Sequence, residues 1–524
     1  METNTIGTIE VKSPITLAPL YSVEEADWHT IEKTFERARK VQEQIQQLSI
    51  ERRIEEMMKV NSYIIANREK IITRIVEETG KARFDALASE LFEVLDVIDH
   101  FQKVTPKILQ DQHVETPLVL MGKKSRIFYE PLGVILVIAP WNYPFYQGIV
   151  PSLLAFLAGN AVIFKPSEVT PMRGVLEDVL QNSGFLKDAI QVVYGGKDVG
   201  AKLIEAKPDK IHFTGSVASG KKIMEAAAKQ LIPVDLELGG KDPSIVFEDV
   251  NIERTVNGVM WGSFTGCGQS CTSLERLYVH EAIFDKFVEL LTDRVKKLRY
   301  SSANRNYQSP EDCDVGAMTT EFQCQIIERH LTDAVQKGAK ILTGGRREAG
   351  IRHFPPTVLV EVTHEMLIMT EESFGPVLPI MKFRTEDEAI RLANDSPYGL
   401  GASVWSKDID RGVRVARKIK CGNVSINSHM LTEGNPALPF GGVKDSGFGR
   451  YKGAHGLTTF CNSKSIIIDK QSDVIEPHWY PFTATKYKML SEVIDSLFVR
   501  PRKWIKFGLI GLKLEKVGTK EKIQ

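Results

Sequence analysis

Val134-Ile135-Leu136-Val137-Ile138 places five apolar residues in a row, and Ala139-Pro140-Trp141-Asn142-Tyr143-Pro144 follows at once. A strand with one wet face would alternate, so this unbroken run predicts a strand covered on both faces, as in a parallel sheet. The loop after it then lies at the carboxyl edge of that sheet, where open α/β folds hold their ligands. Downstream the pattern repeats. Helix Ile149 to Leu157 leads to strand Ala161 to Phe164, and helix Gly174 to Asn182 to strand Ala189 to Tyr194. Helix Val199 to Ala206 leads to strand Lys210 to Phe213, and a further helix runs from Ala218 to Lys229. Strand and helix alternating at this spacing predict right-handed βαβ units.

Upstream, Val23 to about Lys103 carries apolar residues at helical spacing, with Thr79-Gly80 as a stop. Leu118 to Met121 and Ser125 to Tyr129, around Gly122-Lys123-Lys124, predict a hairpin. Beyond residue 271 come helices Phe284 to Lys297, Thr320 to Lys337 and Glu386 to Asn394, and a strand Val377 to Ile380. Pro439 to Arg450 is dense in glycine, and Thr458 to Asp469 has the β-branched content of a closing strand.

The chemistry concentrates between Leu236 and Thr272. Glu237-Leu238-Gly239-Gly240-Lys241 lies 34 residues ahead of Gly268-Gln269-Ser270-Cys271-Thr272. A carboxylate can deprotonate an attacking water and a thiolate is a strong nucleophile, while two glycines let backbone approach a ligand. A buried structural cysteine with a surface glutamate is the competing account of the same residues. Asn142 can donate its amide N–H to an oxyanion or simply close a turn between two prolines. The helix after Thr214-Gly215-Ser216 offers free N–H groups to an anion such as a pyrophosphate. Lys165 and Glu168, at another strand end, suit ribose hydroxyls or a solvated turn.

The 524 residues balance 67 Lys and Arg against 67 Asp and Glu, so nothing in the net charge draws the molecule to nucleic acid. Six cysteines are too few for a disulfide framework. Cys267 and Cys271 lack zinc or redox spacing, which predicts a metal-free protein in a reducing compartment. Met1-Glu2-Thr3-Asn4 has no secretory character, and no apolar run reaches spanning length.

Together these stretches resemble the aldehyde dehydrogenase superfamily over about Ser22 to Lys470. The matching pieces are Pro140-Trp141-Asn142, Lys165-Pro166-Ser167-Glu168, Phe213-Thr214-Gly215-Ser216, Glu237 to Lys241, Gly268 to Cys271, Glu372-Ser373-Phe374-Gly375-Pro376 and Pro439-Phe440-Gly441-Gly442. The resemblance implies an α/β fold with a Rossmann-type cofactor domain, an α/β catalytic domain and a small oligomerisation hairpin. It implies that Cys271 is the nucleophile, that Asn142 and the Cys271 N–H form the oxyanion hole, and that Glu237 activates the hydrolytic water. Trp141, Lys165, Ser167, Glu168, Gly215, Ser216, Gly239, Glu372 and Phe374 would bind the cofactor. Glu168 on the ribose favours NAD, with NADP as the alternative. The implied domains are 22–113 with 131–238 for the dinucleotide, 239–457 for catalysis and 114–130 with 458–470 for the arm. The partners are an aldehyde and further copies of the chain, as homodimer or homotetramer.

Residues 471–524 extend past the resemblance. From Thr483 to Gln524 ten basic residues stand against four acidic ones, around apolar runs that hold Phe498, Trp504 and Phe507. Such a segment can lie on a membrane surface, in keeping with a long-chain aldehyde, or dock on the body or a second subunit. The expected location is cytoplasmic, with peripheral membrane attachment as the first of those readings. A coenzyme A-acylating enzyme and an inactive binding relative stand as competitors; Glu237 opposes the first, and intact Cys271, Glu237 and Asn142 the second. Tyr143, Tyr146 and Trp261 suit an apolar tunnel or core packing, and Arg276 reads as structural.

Overall fold

The computed structural model describes residues 7–120, 122–300, 313–470 and 475–521. Met1 to Asn4, Met121, residues 471–474 and Lys522 lie outside them. The chain divides into two compact units, residues 1–110 with 129–463 and residues 111–128 with 464–524.

Val134–Ile138 is a strand with every residue buried, at the centre of a six-stranded sheet in the first unit. In spatial order the strands are Gly447–Phe448, Val234–Glu237, Lys210–Thr214, Val134–Ile138, Ala161–Lys165 and Ile190–Val192. All pairs are parallel except Gly447–Phe448 against Val234–Glu237. Numbered along the chain from Val134, the five parallel strands run 3-2-1-4-5. The order therefore reverses between Val134–Ile138 and Lys210–Thr214, where a doubly wound sheet opens a crevice for a ligand. Helix Trp28–Ile45 begins at Asp27, whose carboxylate accepts from the Thr30 N–H, and buries Ile31, Phe35, Ala38 and Val41. Helix Arg68–Thr79 stops at Gly80 in the left-handed conformation (φ +77°), as the Thr79-Gly80 signal predicts.

The second sheet has seven strands: Lys340–Thr343, Thr357–Val360, Val377–Phe383, Leu274–His280, Asp242–Val246, Gly401–Trp405 and Asn423–Ile426. Only the Lys340–Thr343 pairing is antiparallel. Each sheet has its own hydrophobic core. Phe440, Tyr451, Leu457 and Phe460 fall in the core of the first sheet, because the glycine-dense loop returns to it through Gly447–Phe448.

Some local readings change. Val23 sits in an antiparallel pair of short strands, Thr8–Lys12 and Pro19–Glu24, ahead of the first helix. The stretch predicted as one helix from Gly174 to Asn182 is a short helical turn, Val175–Glu177, running into a π-turn, Asp178–Asn182. Helix Gly453–Thr458 precedes the last strand, which begins at Cys461.

In the second unit, Gln112–Val114 pairs with Lys123–Pro131, and Leu118–Leu120 is a 3-10 turn, not the strand expected there. Lys123–Pro131 also pairs with Cys461–Asp469. Two helices, Ala484–Leu497 and Trp504–Lys520, pack through Val493, Leu497 and Ile510, with Met489 and Phe507 partly buried beside them.

Candidate active site

At the carboxyl edge of the first sheet lies a cavity of about 620 Å³. Trp141, Asn142, Lys165, Ser167, Glu168, Gly215, Ser216, Glu237, Gly239, Cys271, Glu372 and Phe374 all line it. Strand ends explain the convergence. Trp141 follows Val134–Ile138, Ser167 follows Ala161–Lys165, Gly215 follows Lys210–Thr214, and Glu237 closes Val234–Glu237. The connector from Leu238 to Lys241 then enters the second sheet, whose strand Leu274–His280 starts just after Cys271.

Glu237 is buried, and neither of its carboxylate oxygens has a hydrogen-bond partner. Burial, then the charge of Glu433, pushes its carboxyl well above the usual range. Cys271 is half-buried; burial of its thiol, then Glu433 and Glu237, pushes the thiol up as well. A carboxyl of raised pKa suits a general base that works near neutrality.

The approach to Cys271 is strained. Gly266, Cys267 and Gly268 all have left-handed backbone (φ 58°, 62° and 68°). Cys267 carries a Cβ there, at a cost of about 1–3 kcal/mol. A Cβ at Gly268 would stand 2.3 Å from the Gly375 carbonyl oxygen. Asp85 holds this turn: it accepts from Thr265 Oγ1 at 2.7 Å and from the Gly266 N–H at 2.9 Å. Asn142 Nδ2 donates to the Gln269 carbonyl at 2.9 Å, which keeps its amide beside the nucleophile's loop. Glu90 fixes the other side. One oxygen pairs with Lys81 at 2.7 Å, and the second accepts from the N–H groups of Phe145 and Tyr146. Lys81 Nζ also lies 3.6 Å from the centre of the Tyr143 ring.

Across the cavity, Glu372 Oε1 accepts from the Gly240 N–H at 2.9 Å. Burial, then Glu275, pushes its carboxyl up to about 8. The Glu372 loop hangs on Glu275, which accepts the N–H groups of Ser373 and Phe374 and pairs with buried Lys241 at 2.5 Å. Trp141 and Phe374 meet edge to face, with ring centres 5.3 Å apart. Ser216 caps helix Val217–Ala228, and Lys165 Nζ lies 3.6 Å from exposed Glu168.

These residues fit a dinucleotide. A Cβ at Gly239 would stand 2.5 Å from the Glu372 carboxylate, and one at Gly215 2.5 Å from the Phe213 ring, so bare backbone is required on both walls. The N-terminus of Val217–Ala228, where Ser216 Oγ accepts the Ser219 N–H, lies where a pyrophosphate would be neutralised.

Asp85, Lys81, Glu90, Glu275 and Glu433 escape the sequence reading. Glu90 carried a signal, since it occupies the buried stripe continued by Leu91, Val94, Val97 and Phe101, where an apolar residue belongs. Glu433 carried none. Its side chain accepts from Thr272 Oγ1 at 2.6 Å, and its carbonyl oxygen accepts from Lys452. Arg276 is buried with its guanidinium on the carbonyls of Lys241, Leu392, Ala393 and Asp395, which makes it structural. Of the aromatic residues weighed for a tunnel, Tyr146 is buried and Trp261 is 46% exposed.

The model of the aldehyde dehydrogenase family matches residues 1–466. The 4,4'-diapolycopene aldehyde oxidase of a Methylomonas species is 39% identical over 454 residues, 86% of this chain and 84% of that one. Among solved structures, a point mutant of Staphylococcus aureus betaine aldehyde dehydrogenase, in complex with NAD+, superposes with a TM-score of 0.83. It is 32% identical, with 91% of this chain and 96% of that one covered. An aldehyde dehydrogenase of Brucella melitensis biovar abortus gives 0.82 at 31% identity, covering 88% and 94%.

Proposed function

We propose that this chain, which belongs to the aldehyde dehydrogenase family and is an NAD(P)-dependent aldehyde dehydrogenase, oxidises an apolar, long-chain aldehyde to its carboxylic acid by a hydrolytic route. The observation that carries the hydrolytic reading is Glu237, a buried carboxylate with both oxygens unpaired, on the same cavity as Cys271. A carboxylate left without partners in a protein interior is costly unless its bond is kept for a reacting group.

In this reading Cys271 gives its thiol proton to water, and Sγ as thiolate adds to the aldehyde carbon. Asn142 and the Cys271 N–H stabilise the oxygen as it becomes anionic. NAD, when bound, supplies the acceptor for the hydride that the carbon gives up. Cys271 holds the carbon through that change, first as thiohemiacetal and then as thioester. Glu237 takes a proton from water, the hydroxide adds to the thioester, and the acid leaves as the thiol is restored. Lys165 and Glu168 hold the adenosine ribose, Ser216 and Gly215 the pyrophosphate, and Glu372 the nicotinamide ribose. Trp141, Ser167, Gly239 and Phe374 complete the cradle. Glu168 repels a 2′-phosphate, which favours NAD over NADP.

The substrate class draws support from the Methylomonas relative, whose printed name makes its substrate a diapolycopene aldehyde. In architecture, residues 22–113 with 131–238 serve the cofactor and 239–457 the chemistry. Residues 114–130 with 458–470 join copies into a homodimer or homotetramer. The extension 471–524 attaches the otherwise cytoplasmic enzyme peripherally to membrane.

The test is NADH formation over a chain-length series of aldehydes, with and without coenzyme A, beside Cys271→Ala. Turnover without coenzyme A that rises with chain length and vanishes in the variant is the expected result. Strict dependence on coenzyme A would replace the hydrolytic route with an acylating one.

A further inference from the structure

The C-terminal helices carry two apolar stripes each, and the hairpin they form uses only one. On Ala484–Leu497 the inner stripe is Met489, Val493 and Leu497. Tyr487, Leu490 and Ile494, with Phe498 just beyond, recur at three- and four-residue spacing on the outside, and Tyr487 is 78% exposed. On Trp504–Lys520 the inner stripe holds Phe507 and Ile510, while Ile505, Leu509 and Leu512 form a second stripe, with Ile505 84% exposed. Trp479, Tyr480, Phe482, Val499 and Trp504 are exposed as well. So dense an apolar surface does not stay in water without a partner.

Charge identifies that partner. Lys488, Arg500, Arg502, Lys503, Lys506, Lys513, Lys516 and Lys520 are exposed among these residues. Asp495 is the exposed acid; Glu492, Glu515 and Glu521 are half-buried, and Glu521 is bonded to Thr483. A second copy meeting this face with its own identical face would bring eight exposed cations against eight. An anionic bilayer surface instead neutralises each cation, accepts the aliphatic stripe below its headgroups and seats Trp and Tyr at the boundary. Neither helix is long and apolar enough to cross.

We infer that the outer stripes of Ala484–Leu497 and Trp504–Lys520, with their lysines and arginines, form a docking face for anionic lipid. The peripheral attachment named above is thereby given its lipid class and its inserting residues.

The test is co-sedimentation of the full-length protein with vesicles of phosphatidylcholine containing phosphatidylglycerol, and with phosphatidylcholine alone. Binding to the anionic vesicles is expected, with at least about a tenfold loss in Trp504→Glu/Ile505→Glu, in Lys513→Glu/Lys516→Glu, and at high salt. Failure to bind the anionic vesicles, equal binding to phosphatidylcholine alone, or unchanged binding by the variants would overturn it. So would a drop in the protein's mass in solution caused by the Trp504→Glu/Ile505→Glu pair, because the stripe would then contact a second copy. Turnover of a short water-soluble aldehyde, followed without vesicles, tests the oxidation separately and verifies that the variants fold. Its failure would leave vesicle binding standing, and failed binding would leave the oxidation standing.

Discussion

The cavity and the C-terminal hairpin break the same rule of burial in opposite directions. Around Cys271 the chain buries Glu237 with both carboxylate oxygens unpaired and half-buries Glu372. Around Trp504 it exposes Ile505, Leu509, Leu512 and Phe498. Both are unfavourable in isolation, and both become favourable once something binds. A buried carboxylate is stabilised by a reacting water or a ribose, and an exposed apolar stripe by a lipid surface. Under the two proposals above, misplaced polarity marks function in this molecule at two unrelated places.

If that reading of the cavity is right, the largest effect belongs to its nucleophile. Cys271→Ala should lower kcat by about 10⁴-fold or more while leaving NAD binding measurable by fluorescence quenching. Glu237→Gln should cut steady-state turnover by about 10²–10⁴-fold. A first-turnover burst of NADH should survive, because the thioester still forms. The pH profile sharpens this: with its carboxyl raised by burial, Glu237 stays protonated in mild acid and ionises as pH climbs. Turnover should therefore rise with pH in the native enzyme, and Glu237→Gln should lose the part of that rise that belongs to the carboxyl while keeping the part that belongs to the Cys271 thiol. An unchanged profile would remove Glu237 from the role of base.

Two of the lysine–glutamate pairs, Lys241–Glu275 and Lys165–Glu168, make a narrower test. Lys241→Met strands buried Glu275 and should cost about 3–5 kcal/mol in denaturant unfolding. Lys165→Met, facing exposed Glu168, should cost about 1 kcal/mol or less in the same assay and act mainly on the KM for NAD. The smallest effect is expected in the hairpin. Trp504→Glu, at an exposed position, should change unfolding free energy by no more than about 0.5 kcal/mol.

Much of this was legible in the chain because periodicity reports one-dimensional facts. The five apolar residues at Val134 can be satisfied only with both faces covered, so strand and sheet type follow together. The twelve named lining residues were legible chiefly through short motifs shared with the family, and Trp141, Ser167, Glu372 and Phe374 rest on that resemblance alone. Asp85, Glu275 and Glu433 were not, since their hydrogen bonds to Thr265, Ser373 and Thr272 each span at least 98 positions of the chain and nothing local marks those pairings. The Leu118 error has a local cause. Leu118-Val119-Leu120 has strand-like composition, yet Pro117 precedes it and the Pro117 carbonyl closes a turn onto the Leu120 N–H. The outer stripes of the C-terminal helices could be suspected from composition, but which apolar residues are spent inside the hairpin needs the packing itself.

The antiparallel strand Gly447–Phe448 closes the first sheet against Val234–Glu237, and it comes late. While the chain is being synthesised, the strand carrying Glu237 has no neighbour on its outer edge until residue 448 leaves the ribosome. At about 5–20 residues per second that interval lasts about 10–40 s. During it Glu237 sits on an open edge able to pair with a stray strand. The last sixth of the protein therefore also acts as a guard on its first half, and truncations or stalled translation before residue 447 should favour aggregation over a merely inactive fold.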